Sequence, residues 1–186
     1  MMQMWGITKE QLHKDAMQAA HARSPVCLYD MEEVMAESIF SVKPENLFNR
    51  EEPLDIGFVP IYILTNQDKL NGASVSAQEG VLEKVAELLG TNYYVLPSSI
   101  HELLILPDNG SMQLSELEAM VREVNATQVA PEDRLSDKVQ YYDRETKLLQ
   151  RGQEKSVLGR LSDKKAQLQQ ADHTAPKQPH RSEVSL

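Results

Sequence analysis

The chain has 186 residues, with 19 Lys and Arg against 28 Asp and Glu, and is 41% apolar but only 5% aromatic. That length suits one domain plus some unstructured sequence, and the core must rest on Leu, Val, Ile and Met rather than on aromatic anchors. Residues 1–150 carry 12 basic and 24 acidic side chains, net −12, and residues 151–186 carry 7 and 4, net +3; so acidic a body repels phosphate, which disfavours nucleic acids and anionic membranes as partners.

The start, Met1-Met2-Gln3-Met4-Trp5-Gly6, lacks the basic and apolar regions of a signal peptide, and no run approaches the roughly 20 apolar residues of a membrane span. With Cys27 as the single cysteine, no intramolecular disulfide can form, and a cytoplasmic protein with no membrane partner is the expectation. Cys27 itself reads as a small apolar filler.

Thr8-Lys9-Glu10-Gln11 has the capping-box form, and Leu12, Ala16 and Ala19 follow on one face, which predicts a helix over 8–22. Asp30 caps a second short helix whose stripe is Val34, Met35 and Ile39, with Pro25 as punctuation between the two. From Val42 to Pro60, three prolines and the Glu51-Glu52 pair predict an irregular surface connection, pinned to the core by Leu47, Phe48, Leu54, Ile56 and Phe58.

Ile61-Tyr62-Ile63-Leu64-Thr65 is the first clear strand. Asn71-Gly72 turns the chain, Ser76-Ala77-Gln78-Glu79 offers another capping box, and Val81, Leu82, Val85, Leu88 and Leu89 recur at helical spacing until Gly90. Tyr93–Leu96 and Leu103–Leu106 read as an antiparallel hairpin, Leu114, Leu117, Val121 and Val124 mark a helix ending near Asn125, and Val139–Tyr142 is a last strand.

The fold class is therefore α+β: a βαββαβ core with an antiparallel sheet covered by two helices, preceded by two short N-terminal helices and followed by a disordered C-terminal tail. The order is that of the ferredoxin-like arrangement, with both helices on one sheet face and the other face open. The predicted organisation is an N-terminal helical segment and irregular connection over 1–59, the core over 60–145 and the tail over 146–186. From Arg151 onward, composition alone argues against a packed core, and the one apolar cluster, Ser156–Leu161, reads as a transient turn.

Ser98, Ser99, His101 and Glu102 place hydroxyls, an imidazole and a carboxylate within five residues, which invites a nucleophile-and-base reading with Asp143 as a carboxylate brought in by folding. Strand alternation opposes it, because His101 and Glu102 point to opposite faces unless a bulge intervenes, so a turn satisfied by serine hydroxyls is the favoured reading. The histidines show no metal-ligand spacing: His13 and His21, two turns apart, have α-carbons about 12 Å apart. Glu132, Asp133 and Asp137 read as a solvated acidic surface, and no glycine-rich phosphate loop occurs, so neither metal nor cofactor is expected. The pairs Tyr93-Tyr94 and Tyr141-Tyr142 read as core and hairpin packing rather than an RNA-stacking platform. A non-enzymatic accessory domain with an unidentified protein partner is the preferred reading; a hydrolase using His101 with Ser98 or Ser99 is the alternative, and nucleic-acid binding the second.

Met4-Trp5-Gly6-Ile7, Tyr62–Asn66, Gly80–Glu83 and Val95-Leu96-Pro97-Ser98-Ser99-Ile100-His101-Glu102 resemble the uncharacterised bacterial family called domain of unknown function 5688. Val121–Gln128, with Asn125-Ala126-Thr127 at its end, then Leu135-Ser136-Asp137 and Tyr141–Arg144, extend the likeness over roughly 4–145. The resemblance implies a gut-type Firmicutes source with mobile conjugative elements nearby, and no activity. Members of that family are longer at the N terminus, which implies that residues 1–59 belong to a larger family domain.

Overall fold

The computed structural model describes residues 2–56 and 60–151. Five helices, α1 (Met2–Trp5), α2 (Lys9–Arg23), α3 (Met31–Phe40), α4 (Val81–Leu89) and α5 (Leu114–Thr127), accompany six strands: β1 (Val26–Asp30), β2 (Tyr62–Asn66), β3 (Tyr93–Leu96), β4 (Leu103–Pro107), β5 (Gln140–Asp143) and β6 (Leu148–Arg151). All six strands form one antiparallel sheet in the order β1-β2-β4-β3-β5-β6.

The α+β class and the βαββαβ element order appear as the sequence predicts, but the expected helix placement does not. Val26, Leu28, Leu64, Tyr93, Val95, Ile105 and Tyr142 pack with Val81, Val85 and Leu88 of α4. The alternate residues Leu96, Leu106 and Val139 pack with Leu117 and Val121 of α5. The two helices thus cover opposite faces of the sheet, and strand order supplies the reason. Strands β2 and β3 run parallel with β4 between them, and β4 and β5 run parallel with β3 between them. Both crossovers step the same way across the sheet on strands of opposite sense, so right-handed connections put their helices on opposite faces. In the ferredoxin-like arrangement the last strand returns beside the first and both helices share a face. Here β1 occupies that edge.

Neither edge strand was expected. Strand β1 lies where Pro25 and the Asp30 cap predict only a connection; Asp30 ends the strand and also caps α3, accepting the Glu32 amide at 2.7 Å. Its outer edge is covered by the Asn46 side chain, whose Oδ1 accepts the Leu28 amide at 3.0 Å while its Nδ2 donates to the Val26 carbonyl at 3.1 Å. That pairing satisfies backbone groups that would otherwise template another strand. Strand β6 extends the sheet beyond residue 145, through a turn in which Asp143 Oδ1 accepts the amides of Glu145 and Thr146 and Lys147 takes a left-handed conformation. Of the predicted tail, residues 152–186, including the 156–161 cluster, lie outside the described residues.

Local signals match closely elsewhere. Thr8 caps α2 through the Gln11 amide, and Gly90 ends α4 at φ 67°. The Ser76 capping box is not used: residues Gly72–Ala77 form a 3-10 turn, Ser76 Oγ donates to the Ala73 carbonyl, and Gly80 precedes α4. The cross-strand pairs Tyr93–Tyr142 and Tyr94–Tyr141 each hold ring centroids 5.1 Å apart. Burial raises the Tyr93 phenol above its ordinary range, with Tyr142 adding to the shift, and its hydroxyl donates to the Leu82 carbonyl. Leu47 is buried and Phe48, Leu54 and Ile56 pack against the α4 side of the core, as the sequence predicts, while Phe58 lies outside the described residues. Leu12, Ala16 and Ala19, which share one face of α2, are all exposed.

Candidate functional site

The connection between β3 and β4 holds the sequence-predicted cluster. Ser98 and Ser99 are buried, and their hydrogen bonds run along the chain: the Ser98 amide donates to the Leu96 carbonyl, and Ser99 Oγ accepts the His101 amide at 3.1 Å. The loop is tied from outside as well. The Ile100 amide donates to the Asp133 carbonyl at 2.8 Å, the Ala73 amide donates to the Ile100 carbonyl at 3.1 Å, and Thr65 Oγ1 donates to the His101 carbonyl at 2.7 Å.

The His101 ring joins the same network. Its Nδ1 accepts the Asn71 backbone amide at 3.1 Å, which leaves Nε2 to carry the proton, 3.4 Å from Asp133 Oδ1. General-base catalysis needs the accepting nitrogen to face the nucleophile, and here it faces a backbone amide. The carboxylate beside His101 is Asp133, delivered by the 3-10 turn Pro131–Asp133; Asp143 instead holds the β5–β6 turn, where the Thr146 amide, then that of Glu145, lowers its pKa. Glu102 is half-buried. The network packs so closely that a Cβ on Gly72 would collide with Thr65 Oγ1, the His101 carbonyl and, at 2.8 Å, the Asn66 amide nitrogen.

The stretch from Val121 to Gln128, which also carries the family resemblance, is a fastening too. Asn125 is buried on α5, and its Nδ2 donates to the Ser136 carbonyl at 3.1 Å and to Asp137 Oδ1 at 2.7 Å, while Oδ1 has no partner among the described residues. Thr127 Oγ1 bonds back to the Glu123 carbonyl, and Ala126 is exposed. Asn125 thereby ties α5 to the segment leading into β5, bringing together two of the stretches that carry the family resemblance. Among the described residues, no three His, Cys, Asp or Glu side chains converge on a metal position, and no helix is long and apolar enough to cross a membrane.

A different surface stands out on α3. None of its residues is buried; Met31, Val34 and Glu37 lean inward, and Met35, Ile39 and Phe40 point out, with Ile39 74% and Phe40 71% exposed. Ser41, at φ 56°, ends the helix, and the exposed Val42 follows. Glu32 and Glu33 border this face; Glu33 accepts the Glu45 amide, and Glu45 in turn pairs with Arg50 at 2.5 Å. Of the apolar stripe predicted for this helix, Val34 is half-buried while Met35 and Ile39 are exposed. Their exposure is the main functional signal that periodicity alone does not reveal.

A family model described as a family of unknown function, DUF5688, matches residues 1–144, which include the β3–β4 connection, Asn125 and the α3 face. No curated protein and no solved structure matches the chain.

Proposed function

We propose that this chain, which belongs to the family of unknown function DUF5688, is a non-catalytic interaction module that docks a basic, amphipathic segment of a protein partner on the outer face of α3. The observation that carries this reading is the contiguous exposure of Met35, Ile39, Phe40 and Val42 beside Glu32 and Glu33. An apolar patch rimmed by charge is a common docking signature, and an amphipathic helix on such a face is a recurrent mode of peptide recognition. Charge sets the partner: the body is net −12, so a second copy would bring like charges together, whereas a basic segment is attracted. The engagement of both His101 ring nitrogens within the fold supports a non-catalytic role. Cys27, buried and free, supports a reducing cytoplasmic setting. A bacterial mobile-element origin rests on the family resemblance alone.

The test is fluorescence anisotropy with a labelled peptide of about 18 residues, five helical turns, carrying leucine on one face and lysine on the other. Binding with a Kd on the order of 10 μM that weakens with salt is expected, and a leucine–glutamate counterpart should not bind. Equal binding of both peptides, or of neither, contradicts the reading.

A further inference from the structure

On the other side of α3, at the β1 edge, lies a cavity of about 490 Å³, a volume within the span usual for small-molecule sites. Its walls come from β1, α3, the connection after α3 and the segment following β2. Cys27 and Tyr29, two apart on β1, face it together. Pro25 and Pro44 add apolar wall, and Lys69, at φ 53°, sets its ammonium 5.6 Å above the Tyr29 ring and 3.4 Å from Glu37.

The polar groups divide into those already engaged and those that are not. Both ends of the Asn46 amide are occupied, Oδ1 by the Leu28 and Phe48 amides and Nδ2 by the Val26 carbonyl and the Cys27 sulfur, so Asn46 is a wall. Among the described residues Lys43 has no ion pair and the side-chain amides of Asn49 and Gln67 make no hydrogen bond, though all three line the cavity. Two ammonium groups thus face one carboxylate here, the reverse of the balance over residues 1–150.

We infer that this cavity binds a small organic acid, its carboxylate on Lys43 with Asn49 and Gln67, its apolar body against Tyr29 and the two prolines. No arginine fork lines the cavity to suit a phosphate, and one unpaired ammonium with neutral amide donors suits a monoanionic carboxylate. The site is independent of docking on the outer face of α3, and either can fail alone.

As the only cysteine, Cys27 is a built-in reporter: its sulfur is buried at the cavity wall, so iodoacetamide, losing iodide to the thiolate, reacts only as the cavity admits it, and the rate reads that access. With the full chain as probe target, about 10 mM benzoate should slow alkylation at least about threefold relative to sodium chloride of equal ionic strength. Benzyl alcohol should not, and Lys43→Glu, an exposed position, should abolish the protection while leaving the thermal midpoint unchanged. Equal protection by benzyl alcohol and benzoate, no protection, protection that survives in Lys43→Glu, or a Cys27 that does not react in the folded chain would each overturn the assignment.

Discussion

Helices α3 and α4 are ten and nine residues long, and each carries six apolar side chains, yet α4 buries five residues and α3 none. At about 100° per residue, Val81, Leu82, Val85, Ala86, Leu88 and Leu89 fall within an arc of about 160°, whereas Met31, Val34, Met35, Ala36, Ile39 and Phe40 spread over about 240°. A single sheet face can cover the first arc but not the second. Apolar content therefore does not decide burial; its angular spread does, and what α3 cannot turn inward stays exposed.

The largest effect that could break this contrast is in the core. Leu88→Ala, at a fully enclosed position, should cost about 2–5 kcal/mol in urea unfolding, while Met35→Ala on α3 should stay within about 0.5 kcal/mol. A loss above about 1 kcal/mol at Met35 would mean that α3 is a core helix after all.

A middle-sized effect belongs to the network around His101. Gly72→Ala places a Cβ against Thr65 and the His101 carbonyl and should cost about 1–3 kcal/mol. The His101 ring resonances, followed by NMR, should shift with it because the Asn71 amide moves; unchanged resonances at wild-type stability would show that the loop is not fastened there.

The smallest effect lies at the β5–β6 turn. The Thr146 and Glu145 amides hold the Asp143 carboxyl below its ordinary pKa. A depressed folded-state pKa contributes stability that is complete above the unfolded value of about 3.9 and is lost as pH falls through the folded one. The thermal midpoint of Asp143→Ala should thus lie below wild type near neutrality, and the gap should close in strong acid. A gap that widens on acidification would contradict this sign.

How much of this was legible depended on how local the signal is. Helix α4 announces itself through its stripe and Gly90, and β2, β3 and β4 through their apolar runs. Strand β1 is hidden because Val26-Cys27-Leu28-Tyr29 is short, lacks a polar alternation, and ends in a residue that also caps a helix. Strand β6 is exposed at every position, so no apolar pattern marks it. The placement of α5 on the second face follows from where β5 pairs, a long-range fact that no window of sequence carries. The site divides in the same way. The turn role of the Ser99 hydroxyl was readable from residue type, but the carboxylate beside His101 is Asp133 rather than Asp143, because the turn at 131–133 folds back onto the β3–β4 loop.

The most direct test of the central claim is Ile39→Ser combined with Phe40→Ser, measured at once for stability and for binding of the leucine–lysine peptide. The account predicts a thermal midpoint within about 2 °C of wild type, since neither side chain is buried, with binding weakened at least about tenfold. Unchanged binding in a folded double variant, or unfolding of the variant, would contradict it.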